Sequence, residues 1–162
     1  MDNGKKALLD AGNYEIYNRD LFRKVFPRII SEFKAVNPRA QVNDIIPFYF
    51  ALLSHIDGKK HLSDGITPNI SYGSAFLSQS EINRLTGINR KRHSWLAEIL
   101  RQNGVLLDVK ERYVGGKNYI YYYPSFCPHV TEDGFVVNTD TGEIYTQDVD
   151  ALLARLSEIN KR

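Results

Sequence analysis

Apolar residues recur every three or four positions in five parts of the chain, the spacing that places them on one face of a helix. This pattern predicts helices over 18–36, 42–57, 78–85, 89–103 and 148–159. Pro27 lies inside the first helix, and because proline lacks a backbone donor we expect a kink or a break near 23–26. Pro47 falls in the first turn of the second helix, where proline is tolerated. The chain is therefore predicted to be mainly α.

The period of the apolar residues changes to two after Gly104, as in a half-buried strand. A β-hairpin is predicted from the alternation over 105–113 and the aromatic run over 119–123, which suits a half-buried strand. Its turn is predicted at the glycines 115 and 116, since paired glycines accept the positive φ of a tight turn. A polar loop is expected over 58–75, and 76–77 is expected to form a short strand beside the hairpin. Over 135–146 the pattern fits either a second, smaller hairpin or an irregular loop.

Short polar signals mark the ends of the two helices before the hairpin. Ser78 with Glu81 three residues later is the pattern of a capping box, and Asn89 is placed to cap the next helix. Gly87 supplies the tolerance of positive φ that a tight turn between the helices requires, and Gly104 does the same after the second helix. The predicted apolar contacts of the helix pair are Ile82, Leu85, Ile88, Leu96 and Leu100.

Helix, tight turn, helix and hairpin follow one another in the order of a winged helix-turn-helix. The predicted fold class is therefore α+β, mainly α: a winged helix-turn-helix with N-terminal and C-terminal helical extensions. We predict an N-terminal helical extension over 1–41 and the winged helix-turn-helix domain over 42–124. A small hairpin plus a C-terminal helix, a candidate dimerisation segment, is predicted over 125–162.

The composition is that of an ordinary globular protein: 43% of the 162 residues are hydrophobic and 25% are charged. No apolar run approaches the roughly 18 residues of a membrane span, and no apolar region follows the N-terminus, so neither a span nor a secretory signal is expected. The single cysteine, Cys127, has no partner for an internal disulfide, as is typical of a reducing cytoplasm. Cys127 and His129 lack the second pair of ligands that structural zinc needs. We expect a cytoplasmic protein without metal or cofactor.

The charge is unevenly distributed along the chain, although its net value is only +2. Residues 78–124 carry eight basic and four acidic side chains, a net charge of +4, whereas 125–162 carry three basic and seven acidic ones, a net charge of −4. The helix pair and the hairpin therefore hold the positive potential that phosphate binding needs.

Polar and basic residues cluster at the start of the helix predicted after the turn. Arginine and lysine bind guanine edges and phosphates, and asparagine binds adenine. The three basic residues at 90–92 oppose the dipole at a helix start, a conflict that a bound phosphate would relieve. A solvated helix end is the alternative. The predicted DNA-binding set, which includes the start of the preceding helix and the hairpin, is Ser78, Gln79, Asn89, Arg90, Lys91, Arg92, Ser94, Lys110, Arg112, Lys117 and Asn118.

Three aromatic features have a packing interpretation beside a functional one. Trp95 is expected in the core or at an interface, and His93 is expected to be a packed histidine and not a ligand or a catalytic base. The tyrosines at 119 and 121–123 suit sheet packing, and the alternative is a platform on which single-stranded bases stack.

Several short stretches resemble the winged-helix domains of bacterial phage and plasmid replication initiators and replisome organisers. The hydrophobic helix at 45–54 corresponds to the first helix of that family, and Ser-Gln-Ser-Glu-Ile at 78–82 corresponds to the second. Gly-Ile-Asn-Arg at 87–90 corresponds to the start of the third helix, and Gly-Val-Leu at 104–106 to the start of the wing. Asn83 and His93 depart from that family, which usually has alanine and valine at these positions. The resemblance covers roughly half the chain and implies DNA binding, commonly with self-association, and no catalysis.

The leading hypothesis is a sequence-specific double-stranded DNA-binding protein of phage or mobile-element type, acting in replication initiation or transcriptional regulation. Its expected partners are double-stranded DNA, a second copy of the chain through the 149–159 stripe or the 22–33 face, and a replication or transcription protein. The alternative for either apolar face is packing on its own domain. The alternative is a winged-helix adaptor that binds proteins through the 58–75 loop and the acidic tail. No enzyme is expected, because the sequence has no Ser/His/Asp set, no metal-ligand spacing and no phosphate-binding glycine loop.

Overall fold

A computed structural model of the chain describes residues 17–58, 61–69, 72–125 and 128–161, and the side chains of 114, 117 and 118 are not described. The first part of the predicted N-terminal extension, 1–16, and Cys127 therefore lie outside the described residues.

Five α-helices and three β-strands make up the described part of the chain. In chain order they are α1 (Phe26–Val36), α2 (Ile45–Leu53), β1 (Ala75–Phe76), α3 (Gln79–Thr86), α4 (His93–Gln102), β2 (Leu106–Val114), β3 (Lys117–Pro124) and α5 (Val149–Asn160). A π-helical turn, Leu21–Val25, leads into α1, and 3-10 turns, Val42–Asp44 and Arg90–Arg92, lead into α2 and α4. The strands form one antiparallel sheet in the order β1-β3-β2. The class is α+β with most regular structure in helices, as predicted.

The irregularity expected near Pro27 takes the form of a π-helical turn and not of a break, because the chain stays helical from 19 to 36. The N–H of Phe26 bonds to the carbonyl of Leu21 in the π-helical turn, and the α-helical pattern begins at Phe26 with Pro27 in its first turn. Proline suits this position because the first N–H groups of a helix have no partner within it. At the start of the helical stretch, the Asn18 side-chain oxygen accepts from the N–H of Asp20 at 2.9 Å.

Helix α2 ends at Leu53, so the prediction of a helix to residue 57 is wrong. Beyond α2 the backbone turns to pair with the residues around β1. Ile56 forms an isolated bridge with Ala75, and the N–H of Asp57 donates to the carbonyl of Ser74 at 2.9 Å. The Asp44 side chain makes no capping bond at the start of α2 and binds Arg92 instead.

The predicted hairpin is confirmed, and its turn consists of two glycines. Gly115 and Gly116 have φ values of +59° and +82°, and the backbone of Val114 pairs with that of Lys117. A turn with two positive φ values matches the twist of the flanking strands. The short strand expected at 76–77 lies one residue earlier, where Ala75 and Phe76 pair with β3 at 122 and 121.

The segment between β3 and α5 is an irregular loop with isolated bridges, the second of the two predicted alternatives. Val130 pairs with Val136, and Val137 with Ile144. This segment packs closely on the helices. A Cβ atom at Gly104 would lie within 3.0 Å of the Tyr145 ring, so only glycine fits beneath that ring.

One apolar core joins the described parts of the chain, with buried side chains from Leu21 to Leu152. The rings of Phe33 and Trp95 meet edge to face at 5.9 Å, and Trp95 Nε1 donates to the Leu152 carbonyl at 2.8 Å. Trp95 is thus a core residue. The apolar stripe of α5 and most of the 22–33 face also pack on this core, and Phe22 remains exposed.

Four of the five predicted contacts of the helix pair are buried, and Leu85 is wrong: it is 43% exposed. Helix α3 is short, and its last turn reaches past the core that covers Ile82. Within the described ranges, no helix is long and apolar enough to cross a membrane.

Candidate nucleic-acid interface

Side chains fix the turn between α3 and α4. Gly87 takes a φ of +74°, and its N–H donates to the carbonyl of Asn83 at 2.7 Å. The Ile88 carbonyl accepts from the side-chain nitrogen of Asn83 and from Nε2 of His93, both at 3.0 Å. Thr86 Oγ1 donates to the Ile82 carbonyl at 2.6 Å and accepts from the N–H of Ile88 at 3.1 Å. The two residues that depart from the resembled family thus bind the same carbonyl and hold the two helices in one orientation.

His93 is a packed neutral histidine, as expected. Its Nε2 faces a carbonyl and therefore carries the proton, and Nδ1 is buried without a hydrogen-bond partner among the described residues. Burial lowers the pKa of His93, and the positive charge of nearby Arg90 lowers it further, while the bond to Ile88 acts in the opposite direction. The imidazole positions the turn and is not available to a ligand.

The start of α3 is capped as predicted and carries exposed polar groups. Ser78 Oγ accepts from the N–H of Glu81 at 3.0 Å, and Gln79 and Ser80 are exposed beside it. The Glu81 carboxylate binds the guanidinium of Arg84, with Nε to Oε2 at 3.0 Å. That hydrogen bond holds the pKa of Glu81 below its usual value, so the pair remains ionised and largely neutral overall.

The basic triplet before α4 divides into two roles. Asn89 caps it, since its Oδ1 accepts from the N–H of Lys91 at 2.9 Å. Arg90 and Lys91 are exposed, and Arg90 Nη2 donates to Ser80 Oγ at 2.6 Å. Arg92 turns back towards the protein. It forms an ion pair with Asp44, donates to the Gln41 carbonyl at 2.6 Å and places its Cζ 5.4 Å from the centre of the Trp95 ring.

Ser94 lies on the outer side of α4 in a cleft of about 300 Å³. Its Oγ accepts from Arg155 Nη2 of α5 at 3.5 Å. In the same cleft, Glu98 accepts from Arg101 Nε at 2.9 Å, and this bond holds the pKa of Glu98 below its usual value. The cleft is bounded by α4, the hairpin and α5, and Gln79 of α3 also lines it.

A second cleft, of about 390 Å³, lies between the start of α3 and the sheet. Four polar residues line one side, namely Ser78, Gln79, Ser80 and Arg90, and Phe76 and Tyr119 contribute rings to the other. Three residues of the predicted binding set therefore come together here. Ser80 and Phe76 were missed by the sequence prediction. Ser80 lies two residues after the Ser78 cap, and this position at the start of a helix could have identified it. No neighbouring residue in the sequence connected Phe76 with Arg90.

Lys110 and Arg112 lie on the other face of the sheet from α4. Val109 and Glu111 alternate with them along β2; Val109 packs on the core and Glu111 lines the cleft beside α4. Lys110 and Arg112 instead lie against the rings of Tyr123 and Tyr121. The predicted set is thus divided between a helix-turn surface (78–80 and 89–91) and this outer sheet face, while Arg92 and Ser94 belong to neither. Lys117 and Asn118 begin β3, and their side chains lie outside the described part.

Within the described residues, no group of three histidine, cysteine or acidic side chains is placed to hold a metal ion. Comparison with protein-family models, with curated proteins and with solved structures gives no match.

Proposed function

We propose that the chain is a winged helix-turn-helix protein that binds double-stranded DNA in a sequence-specific manner. The observation that carries the proposal is the helix-turn surface: a turn fixed by three side chains that presents Asn89, Arg90 and Lys91, exposed, at the start of α4. The order α2, β1, α3, α4, β2, β3 and the strand order β1-β3-β2 support it, because they place a hairpin beside a pair of helices joined by a tight turn.

In this proposal the leading end of α4 enters the major groove. Arg90 reaches a guanine edge or a phosphate, Lys91 reaches a phosphate, and Asn89 and Ser94 are placed to reach base edges or the backbone. Among the described residues, Arg90 is tethered only by a neutral hydroxyl, Ser80, which a phosphate oxygen replaces at little cost. Arg92 has a supporting role, since it ties the α4 start to the residues before α2.

The biological setting we propose is replication initiation or transcriptional regulation in a phage or mobile element. This setting rests on the resemblance of 45–123 to replication initiators and replisome organisers. Paired half-sites would be bound by a homodimer, and the apolar stripe of α5, which is half-buried against the core of its own chain apart from the buried Leu152, keeps part of its surface for such a contact. Sedimentation of the full chain with and without a bound duplex measures the number of copies.

A salt titration of duplex binding tests the proposal. We expect wild-type protein to bind mixed genomic fragments with a steep dependence on salt, since each neutralised phosphate contributes a slope of about 0.9. Arg90→Ala combined with Lys91→Ala is expected to reduce that slope by about 1–2. The matched control is Arg19→Ala with Arg23→Ala, two exposed cations removed outside the helix-turn surface, which retains the slope. Absence of duplex binding at low salt, or equal losses in both double variants, contradicts the proposal.

A second candidate function is a protein-binding adaptor, and one observation favours it. The loop that contains 61–69 carries Ile66 at 82% exposure, with Leu62 also exposed. Exposed apolar side chains on a loop are typical of protein contacts. Ile66→Ser is expected to leave duplex binding unchanged if the first proposal is correct. Wild-type protein that binds no duplex at low salt favours the adaptor.

A further inference from the structure

The outer face of the sheet carries a row of aromatic side chains that the core does not use. Along β3, Tyr122 is buried and Ile120 packs on the core, so Tyr119, Tyr121 and Tyr123 point to the opposite face, where each is half-buried. A strand alternates its side chains between two faces, so these three tyrosines stand in one row. The row is therefore additional to the aromatic packing of the core.

The rings of this face stack on one another and on cations. Phe76 of β1 is 44% exposed and stacks on Tyr121, with ring centres 5.1 Å apart and planes 29° apart. Arg112 Cζ lies 4.9 Å from the centre of the Tyr121 ring, and Lys110 Nζ lies 5.1 Å from that of Tyr123. Both cations lie over rings that are half-buried in the folded chain.

One acidic residue shares the register of this face. Asp108 pairs with Tyr123 across the strands, and its Oδ1 accepts from the N–H of Val109 at 2.8 Å. It lies at the far end of the row from Phe76 and Tyr119. The end near Phe76 leads into the cleft lined by Arg90, so the face connects with the helix-turn surface.

We propose that this outer sheet face binds single-stranded DNA by stacking unpaired bases on Phe76, Tyr121 and Tyr119. Planar rings accept any base, and nearby lysine and arginine side chains pair with the phosphates between the bases. The guanidinium of Arg112 and the ammonium of Lys110 swing from the rings to phosphates, which uncovers the ring faces. The choice of DNA as the nucleic acid rests on the proposed function of the helix-turn surface, because a strand released from a duplex held there meets this face through the shared cleft.

Fluorescence anisotropy with labelled oligothymidylate of about 20 nucleotides tests the inference, with the same length of duplex and of oligouridylate measured in parallel. Tyr121→Ala is expected to weaken oligothymidylate binding at least about fivefold, which corresponds to about 1 kcal/mol for one lost stacked base. Tyr113→Ala is the matched control: Tyr113 is 76% exposed on the same hairpin but shares the face of Val109 and Glu111, so its loss leaves oligothymidylate binding unchanged. Tyr121→Leu, which keeps apolar bulk without a ring, repeats the test if Tyr121→Ala unfolds.

The outcomes separate this inference from the proposed function. Loss of oligothymidylate binding with retained duplex binding in the Tyr121 variants supports the inference. No oligothymidylate binding in wild type, equal binding in the Tyr121 variants, or preference for oligouridylate overturns it. Absence of duplex binding in wild type, with oligothymidylate binding that depends on Tyr121, overturns the proposed function alone and leaves the stacking site in place.

Discussion

Replacing Arg92 by alanine separates a structural role from a DNA contact within the basic triplet. The Arg92 side chain is 13% exposed, forms an ion pair with Asp44, donates to the Gln41 carbonyl at 2.6 Å and lies against the Trp95 ring. The substitution removes all three contacts at once. The Asp44 carboxylate and the Gln41 carbonyl then lose the guanidinium donor, and water takes its place.

The expected loss of stability in Arg92→Ala follows from the solvent exposure of its two hydrogen-bond partners, Asp44 and Gln41. A hydrogen bond to a charged group contributes about 1.5–3 kcal/mol, and a solvent-exposed ion pair about 0–1 kcal/mol. The Asp44 side chain is 33% exposed and Gln41 is exposed, so both regain water in the variant and the lower ends of these ranges apply. We therefore expect Arg92→Ala to reduce the free energy of unfolding by about 1.5–2 kcal/mol.

Equilibrium unfolding in urea measures this loss, and Arg90→Ala is the matched control. Arg90 belongs to the same turn, but its bond to Ser80 is exposed, so its removal is expected to change stability by less than about 0.5 kcal/mol. In duplex binding the proposed function predicts the reverse order, because Arg90→Ala would remove a proposed DNA contact and Arg92→Ala would not. Unchanged stability in Arg92→Ala, together with a loss of DNA affinity as large as in Arg90→Ala, would refute the structural role.

Two further predictions concern the turns and the buried histidine. Gly104→Ala is expected to reduce the free energy of unfolding by about 2–4 kcal/mol, because a left-handed backbone is unfavourable for alanine and the new methyl group meets the Tyr145 ring. Gly87 has a similar φ and no atom within 4 Å of the added methyl position, so Gly87→Ala is expected to lose only the backbone term of about 1–2 kcal/mol. Urea unfolding compares them, and equal losses contradict the packing of Tyr145 on the turn. Lowering the pH from about 7.5 to about 5 is expected to destabilise the protein through His93. Burial lowers the pKa of His93 in the folded protein, so the unfolded chain binds the proton at a higher pH than the folded one. The free energy of unfolding is expected to fall by no more than about 1.4 kcal/mol per pH unit. His93→Gln is expected to make this pH dependence shallower, and an unaltered dependence contradicts the buried neutral ring.

Features determined by neighbouring residues could be predicted from the sequence. The Ser78 cap, the positive φ of Gly87 and the Gly115–Gly116 turn each depend on a few adjacent positions, and each is present. The irregular helical turn before Pro27 likewise follows from one missing donor. Such features fixed the order of helices and strands, which is why the fold class was accessible without the structure.

Features that depend on distant contacts could not be predicted. Arg92 has the same local surroundings as Arg90 and Lys91, and it is distinguished by its contacts with Asp44 and Gln41, which lie far away in the sequence. Helix α2 stops early because 56–57 pair with 74–75, a contact that helical spacing does not contain. The placement of Lys110 on the outer sheet face, away from α4, likewise depends on which face of the hairpin packs on the core.

Amide chemical-shift mapping of the protein on addition of duplex DNA tests the central claim most directly, because it locates the contact without a substitution. The account predicts that the largest shift changes lie at 78–80 and 89–94, with smaller ones at the hairpin tip. Changes confined to the 61–69 loop or to α5, or no changes at low salt, would contradict the proposal that the helix-turn surface binds duplex DNA.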